Sequence, residues 1–322
     1  MGRTLDSQCP HGYAFAPMIE KSFLVQKFAK LKLDAIHIIG YSVAGEESVV
    51  QVPELDVCFD IGRAPYFSLT SNHICITHGH MDHLAGLAYY LSQRNFQGMK
   101  PGIILMPEEL AGPADAMLRC WRAVERQDTP YTIVPMSHGR DHAVRKDYLI
   151  RAIDTHHAGP SLGYALVSVR EKLKPEYMGI PGQELAAMRK KGVEIQYRIE
   201  VPLVTYLGDT TIGPVFDHPD VRNAEVLITE CTFFDPSHRN RAKIGRHLHI
   251  DHLVDLLPRL NNQHIVLTHV SRRTSLRRAI AALRKRVGEE AMGRIQFLMD
   301  FDGAADAGDI EQAGPPPSET AE

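Results

Sequence analysis

No stretch of this chain approaches the ~20 consecutive apolar residues that a membrane helix needs, which excludes a helical membrane protein. The segment from Met1 to Lys30 carries Asp6 and Glu20 and has no compact apolar region, which argues against a secretory signal. Cysteine is scarce: Cys9, Cys58, Cys75, Cys120 and Cys231 are odd in number, widely spaced and never arranged as CxxC. That pattern argues against a disulfide framework and a zinc finger, and it points to reduced thiols in a cytoplasmic protein. A strong charge of one sign is missing too, since the net charge is only −3 over 322 residues. No internal repeat is present.

The bulk composition, 44% hydrophobic and 23% charged, is that of a globular protein with room for one large domain or two small ones. Two local enrichments carry more information. From Arg239 to Arg286 there are twelve Lys and Arg but only two acids, Asp251 and Asp255. Such a run is either a solvated helix face or a surface that attracts a polyanion. The chain also holds 17 histidines, many of them clustered at 73–83, 156–157, 247–252 and 264–269. Neutral imidazole is the commonest metal ligand.

Short β-branched and apolar runs, punctuated by glycine, predict strands at Ala35–Ile39, Ser48–Val52, Asp56–Phe59, Ile74–Ile76, Ile103–Met106, Leu149–Ile153, Leu162–Val169, Leu203–Leu207, Val226–Ile228 and Ile265–Leu267. Helical patterns lie at His83–Arg94, Pro107–Arg126, Ile250–Leu260 and Ser275–Val287. Strands in runs with helices between them indicate a layered α/β architecture. Residues 170–200, rich in Lys and Arg around Gly179-Ile180-Pro181-Gly182, break the pattern and predict a surface insertion. The domain is thus expected to span 1–301. From Asp302 the chain has no basic and no aromatic residue, and 302–322 is expected to be a disordered acidic tail.

The densest chemistry is Thr77-His78-Gly79-His80-Met81-Asp82-His83, between a predicted strand and a predicted helix. His78 and His80 alternate onto one side of an extended backbone. Asp82 and His83, past the bend, point to a second centre. Zn²⁺ accepts His nitrogen and Asp oxygen and keeps a position open for water. One turn cannot saturate two ions, so further ligands must come from elsewhere. His157, Gly208-Asp209-Thr210 and Thr268-His269 each follow a predicted strand, where α/β sheets place their sites. The two oxygens of Asp209 suit it to bridge two cations. His156 competes with His157, while Asp209 and His269 each also read as ordinary loop residues. Two metals suit hydrolysis, and a leaving alkoxide then needs a proton. His247 is the candidate acid, with His249 and His252 as competitors. Glu230 either orients that acid or pairs with a nearby arginine.

Together these residues resemble the ribonuclease Z family, endonucleases that remove the 3′ trailer of precursor tRNA. The resemblance rests on His78/His80/Asp82/His83, His157 with Gly163-Tyr164, Gly208-Asp209-Thr210, Glu230-Cys231-Thr232-Phe233, His247 and Thr268-His269-Val270-Ser271. The short plant-type members are closest, through Phe59-Asp60-Ile61-Gly62-Arg63, Lys174-Pro175-Glu176-Tyr177-Met178-Gly179, Gly192-Val193-Glu194-Ile195 and His247-Leu248-His249-Ile250. The resemblance implies a metallo-β-lactamase fold, a four-layer αβ/βα sandwich of two mixed sheets. It implies two Zn²⁺ per chain, one on His78, His80 and His157, the other on Asp82, His83 and His269, with Asp209 shared. Mn²⁺ and Fe²⁺ accept similar ligands. Asp82 would also position or deprotonate the attacking water, and His247 would protonate the leaving 3′ oxygen. Ser271 and Arg273 match positions near the scissile phosphate. The 170–200 insertion, with Lys172, Lys174, Arg189, Lys190 and Lys191, corresponds to an arm that grips tRNA on the partner subunit of a homodimer. Here the arm is short, Arg246 stands where glycine is usual, and the N-terminal glycine loop reads Gly40-Tyr41-Ser42-Val43-Ala44-Gly45. A small-molecule hydrolase of the same fold would share the metal set but need neither the arm nor the basic stretch. A non-catalytic binding module would show a missing ligand, and none is missing.

Overall fold

The computed structural model describes residues 27–301. Cys9 and the expected 302–322 tail lie outside the described residues. The chain forms two seven-stranded sheets, each with its strands in sequence order. The first comprises β1 (Ala29–Leu33), β2 (Ile36–Val43), β3 (Glu47–Val52), β4 (Val57–Phe59), β5 (His73–Cys75), β6 (Gly102–Pro107) and β7 (Tyr131–Met136). It is antiparallel through β4 and parallel from β4 onward. The second comprises β8 (Asp141–Arg145), β9 (Tyr148–Asp154), β10 (Leu162–Leu173), β11 (Gln196–Tyr206), β12 (Val226–Glu230), β13 (His264–Thr268) and β14 (Ile295–Phe297). It is antiparallel through β11 and parallel beyond. The helices are α1 (Met81–Leu84), α2 (Leu87–Phe96), α3 (Glu108–Glu125), α4 (Gly182–Lys190), α5 (Pro219–Arg222), α6 (Arg239–Gly245), α7 (Ile250–Leu256) and α8 (Leu276–Met292).

The inner strands explain the layering. Every residue of β3, β4, β5 and β12 is buried, as expected for strands covered on both faces. Between the sheets, Ile38, Val50 and Phe59 meet Tyr164, Leu166, Tyr206 and Ile228. Phe59 and Tyr206 stack across this seam with centroids 4.9 Å apart. The outer face of the first sheet packs on Leu87, Tyr90 and Leu91 of α2 and Leu118 of α3. The outer face of the second packs on Leu253 and Leu256 of α7 and Ala279 and Leu283 of α8. The result is the expected α/β sandwich of four layers.

Several boundaries differ from the sequence reading. β1, β7, β8 and β14 were not anticipated. β1 and β8 alternate with charged side chains, β7 contains Pro135 on a sheet edge, and β14 has only three residues. The helix expected at His83–Arg94 starts earlier and is split into α1 and α2 at Gly86. A Cβ there would come within 2.4 Å of the Ala64 nitrogen, so only glycine lets the two backbones touch. Residues 170–200 are not a loop between strands. β10 and β11 themselves run outward as a hairpin, paired as far as Leu173 and Gln196 and closed by Lys174 N donating to Ile195 O at 2.9 Å. α4 sits beyond that closure and buries no residue.

Candidate metal centre

Four chain segments end at one place. β5 leads into Thr77–His80 and α1, β9 leads to His157, β11 to Asp209, and β13 to His269. These are C-terminal strand ends, where the neighbouring backbone is free to open a site. One ligand atom from each of His78, His80, His157 and Asp209 lies within 4.8 Å of the others, as do those of Asp82, His83 and His269. Asp209 Oδ2 sits between the groups. It is 3.8 Å from His78 Nε2, 3.8 Å from His157 Nε2, 3.5 Å from His83 Nε2 and 3.3 Å from His269 Nε2. Two ligand atoms on one tetrahedral ion at 2.0–2.1 Å stand ~3.3 Å apart, close to these separations.

The histidines are aimed, not merely near. His83 Nδ1 donates to Asp60 Oδ2 at 2.7 Å. His78 Nδ1 donates to the Thr77 hydroxyl at 3.0 Å, His157 Nδ1 to Arg246 O at 3.2 Å, and His269 Nδ1 to the Thr232 hydroxyl at 3.1 Å. Each of the four therefore commits Nδ1 to an oxygen and turns Nε2 inward, the usual arrangement behind a metal. Among the described residues, the buried His78 Nε2, His83 Nε2 and Asp209 Oδ1 have no hydrogen-bond partner. Buried polar atoms without partners are costly, and a cation ligated at these atoms removes the cost. The exposed fifth histidine, His80, approaches His157 Nε2 with its Nδ1 at 3.4 Å.

The electrostatics agree. Burial drives His78 down to about 2 and lowers His157 as well, so both imidazoles are neutral. Burial opposes ionisation of Asp209 and Asp82, yet His269 and His83 hold both below the usual carboxylate range. Burial would also push His83 down, but the Asp209 and Asp60 carboxylates on either side raise it well above 6.5. The same two carboxylates favour any positive charge at His83 Nε2, proton or metal.

The supporting residues were the part that the sequence reading missed. Asp60, fully buried at φ +52°, accepts from Thr77 N at 2.8 Å and from the Tyr206 hydroxyl at 2.9 Å, besides holding His83. Gly45 N donates to Asp82 Oδ2 at 3.0 Å. Ser42 Oγ accepts from His269 N at 3.0 Å, which pins His269 at φ +57°. The altered N-terminal loop thus does a job at the site. The Asp60 run and the Gly40–Gly45 loop were visible as strings, but nothing in a string says which carboxylate faces which imidazole.

The competing residues occupy different surroundings. His157 is buried, whereas His156 is exposed and its N–H goes to the Thr210 hydroxyl. His249 caps α7, accepting from Asp251 N, with its other ring nitrogen on Asp235 O at 3.0 Å; His252 completes that cap. His247 instead stacks on His269, centroids 5.2 Å apart, beside Asp209. Its Nδ1 donates to Glu230 Oε1 at 2.8 Å. Burial alone would lower His247, but the Glu230 carboxylate raises it to about 9. Glu230 is fully buried, accepts from Thr210 N and Leu248 N as well, and has no arginine partner among the described residues.

The residues expected to touch substrate are more scattered. Ser271 lies two residues past His269, in a cavity of about 740 Å³ also lined by Tyr41, Glu46 and Arg63. Its Oγ accepts from Arg273 N at 3.3 Å, and the Arg273 side chain is exposed. Lys172, Arg189, Lys190 and Lys191 are exposed along the arm, and Lys174 pairs with Glu194. Of the basic stretch, Arg239, Arg241 and Lys243 stand exposed on α6, immediately before His247.

Residues 69–270 match the beta-lactamase superfamily domain. The chain is 32% identical over 265 residues to tRNase Z TRZ1 of Arabidopsis thaliana, covering 80% of this chain and 95% of that one. It is 33% identical over 268 residues to the chloroplastic tRNase Z TRZ2 of the same plant, covering 81% and 76%. The crystal structure of the short form of human tRNase Z superposes with a TM-score of 0.53 at 18% identity, covering 80% of this chain and 93% of that one, which shows the shared fold. By fold and by sequence, this chain belongs to the ribonuclease Z family of the beta-lactamase superfamily.

Proposed function

We propose that this chain is a metal-dependent endoribonuclease that removes the 3′ trailer of precursor tRNA by hydrolysing one phosphodiester bond. Two Zn²⁺ ions fit the donor set: His78, His80 and His157 for one, Asp82, His83 and His269 for the other, and Asp209 between them. When bound, such a pair makes an attacking water more acidic and stabilises negative charge on phosphorus. Asp82, its Oδ2 held by Gly45 N, positions that water and accepts its proton. With Nδ1 committed to Glu230, His247 presents Nε2 to the leaving 3′ oxygen and donates the proton from there. Glu230 orients His247 and stabilises its charged form.

Ser271 and Arg273 contact the scissile phosphate. Lys172, Lys174, Arg189, Lys190 and Lys191 on the 170–200 arm grip the tRNA body, and the enzyme acts as a homodimer. Free Cys58, Cys75 and Cys231, all buried, suit a reducing compartment, and we place the protein in the cytoplasm. No described helix is long and apolar enough to cross a membrane.

The observation that carries this reading is the set of four imidazoles with Nδ1 pinned and Nε2 turned inward around Asp209, in a chain that is 32% identical to a tRNase Z over 265 residues. The test is to incubate the zinc-loaded protein with a precursor tRNA carrying a 3′ trailer and to map the ends. The expected result is one internal cut that releases the trailer whole with a 5′ phosphate and leaves a 3′ hydroxyl on the tRNA. End-wise shortening, or no cut, would overturn it.

A further inference from the structure

Among the described residues, Arg246 hydrogen-bonds His157 through both its backbone and its side chain. Its carbonyl accepts from His157 Nδ1 at 3.2 Å, and its guanidinium Nη1 donates to His157 O at 2.7 Å. It caps α6 in the left-handed region, φ +54° and ψ +50°, where glycine is free of strain and a side chain is not. Strain of this kind persists where its surroundings over-determine it. The carbonyl contact needs no side chain and glycine would supply it. The Nη1 bond is the contact that an exposed arginine adds here and glycine cannot.

The turn around Arg246 is built equally tightly. A Cβ on Gly245 would meet His247 Cδ2 at 2.9 Å, and His247 N donates to Ala242 O at 2.9 Å. The His157 and His247 rings lie 4.9 Å apart. The loop that carries His157 is otherwise anchored one residue earlier, by His156 N on the Thr210 hydroxyl and Thr211 N on His156 O.

We propose that Arg246 is a positioning residue: its guanidinium fixes the His157 loop, so that His157 holds a cation in register with the proton donor His247. This rests on the reading of His157 as a metal ligand. The cation served by His78, His80 and His157 depends on Arg246, and the one served by Asp82, His83 and His269 does not.

The test uses the full chain, stripped of metal and titrated with Zn²⁺ against a chromophoric chelator, with no RNA present. Arg246→Gly keeps the left-handed backbone and the carbonyl contact and removes only the guanidinium. In a His269→Ala background, which leaves the His78/His80/His157 group intact, Arg246→Gly should weaken zinc binding by ~10-fold, the scale seen when a ligand's outer support is lost. In a His80→Ala background, which spares the other group, it should change nothing. Arg246→Lys should recover part of the loss. The melting temperature of the metal-free Arg246→Gly protein should equal or exceed that of the parent, because glycine relieves the strain. If either background fails to bind zinc, the otherwise unmutated chain gives the same reading, with one of its two binding steps weakened and the other not.

Equal weakening of both groups, or a lower melting temperature with no difference between them, would make Arg246 a purely structural residue. No weakening at all would also overturn the proposal. Because RNA is absent, a split between the groups would stand even if precursor tRNA were not cut, and that second failure would count against the proposed function alone.

Discussion

Glu230 and His247 lie on different segments, yet His247 Nδ1 is 2.8 Å from Glu230 Oε1 in a site where the carboxylate is fully buried. Glu230 Oε2 accepts the Thr232 hydroxyl, and that hydroxyl in turn accepts from His269 Nδ1. One carboxylate therefore fixes the tautomer of His247 directly and that of His269 through one hydroxyl. Removing its charge should disturb catalysis more than folding.

His247→Ala should slow cleavage of precursor tRNA by ~10²–10⁴-fold, the usual worth of a positioned acid. An activated nitrophenyl phosphodiester has a leaving group that needs no proton, and its hydrolysis should change little. Rates on the two substrates with the same zinc-loaded preparation decide the matter. Equal slowing would remove His247 as the acid.

Glu230→Gln keeps the shape of the side chain and takes away its charge. Burial already pushes His247 down, and Glu230, with a smaller contribution from Asp209, raises it from 6.5 to about 9. In the proposed mechanism the protonated His247 is the active form, so activity falls as pH rises through its pKa. The alkaline limb of kcat/KM on RNA should move to lower pH in the variant. An unmoved limb would assign that limb to another group.

Asp60→Asn tests the buried support. Asp60 Oδ1 accepts from Thr77 N, and Oδ2 accepts from His83 Nδ1 and the Tyr206 hydroxyl. An amide must place its NH₂ against one of these donors. If it faces His83, the ring protonates on Nε2 and loses the lone pair it offers a cation. Zinc affinity should fall by ~10–100-fold, and buried hydrogen bonds worth about 1–3 kcal/mol should be lost from stability. Unchanged affinity in a chelator competition would contradict the role given to Asp60.

The arm can be shortened without touching the core. Lys174 and Ile195 already form the closing pair of the β10–β11 hairpin, so Asn-Gly can replace Pro175–Glu194 as a two-residue turn. α4 buries nothing, so the melting temperature should hold. KM for precursor tRNA should rise about tenfold, worth ~1.4 kcal/mol, while hydrolysis of bis(p-nitrophenyl) phosphate stays as it was. A parallel loss on both substrates would mean that the arm supports the site and does not grip RNA.

Much of this molecule was legible before any coordinates. The buried strands announce themselves because a strand covered on both faces must be apolar throughout, as in β12. His78, His80, Asp82 and His83 are adjacent in sequence, and His157, Asp209 and His269 all follow strands, so their meeting place could be argued from topology. The outlying strands were hidden because charged residues interrupt β1 and β8, a proline interrupts β7, and β14 is only three residues long. The split at Gly86 depends on a backbone contact with Ala64, which no periodicity records. Asp60, Thr232 and Ser42 were unreadable for the same reason: a single carboxylate or hydroxyl is a turn residue until a neighbour from another strand is placed against it.

The account depends most on Asp209 standing between two cations. The direct measurement is X-ray diffraction from crystals of the zinc-loaded protein, with data on both sides of the zinc absorption edge. Two anomalous peaks should flank Asp209, one beside His78, His80 and His157 and the other beside Asp82, His83 and His269. A single peak, or zinc bound anywhere else with this pocket empty, would contradict the account.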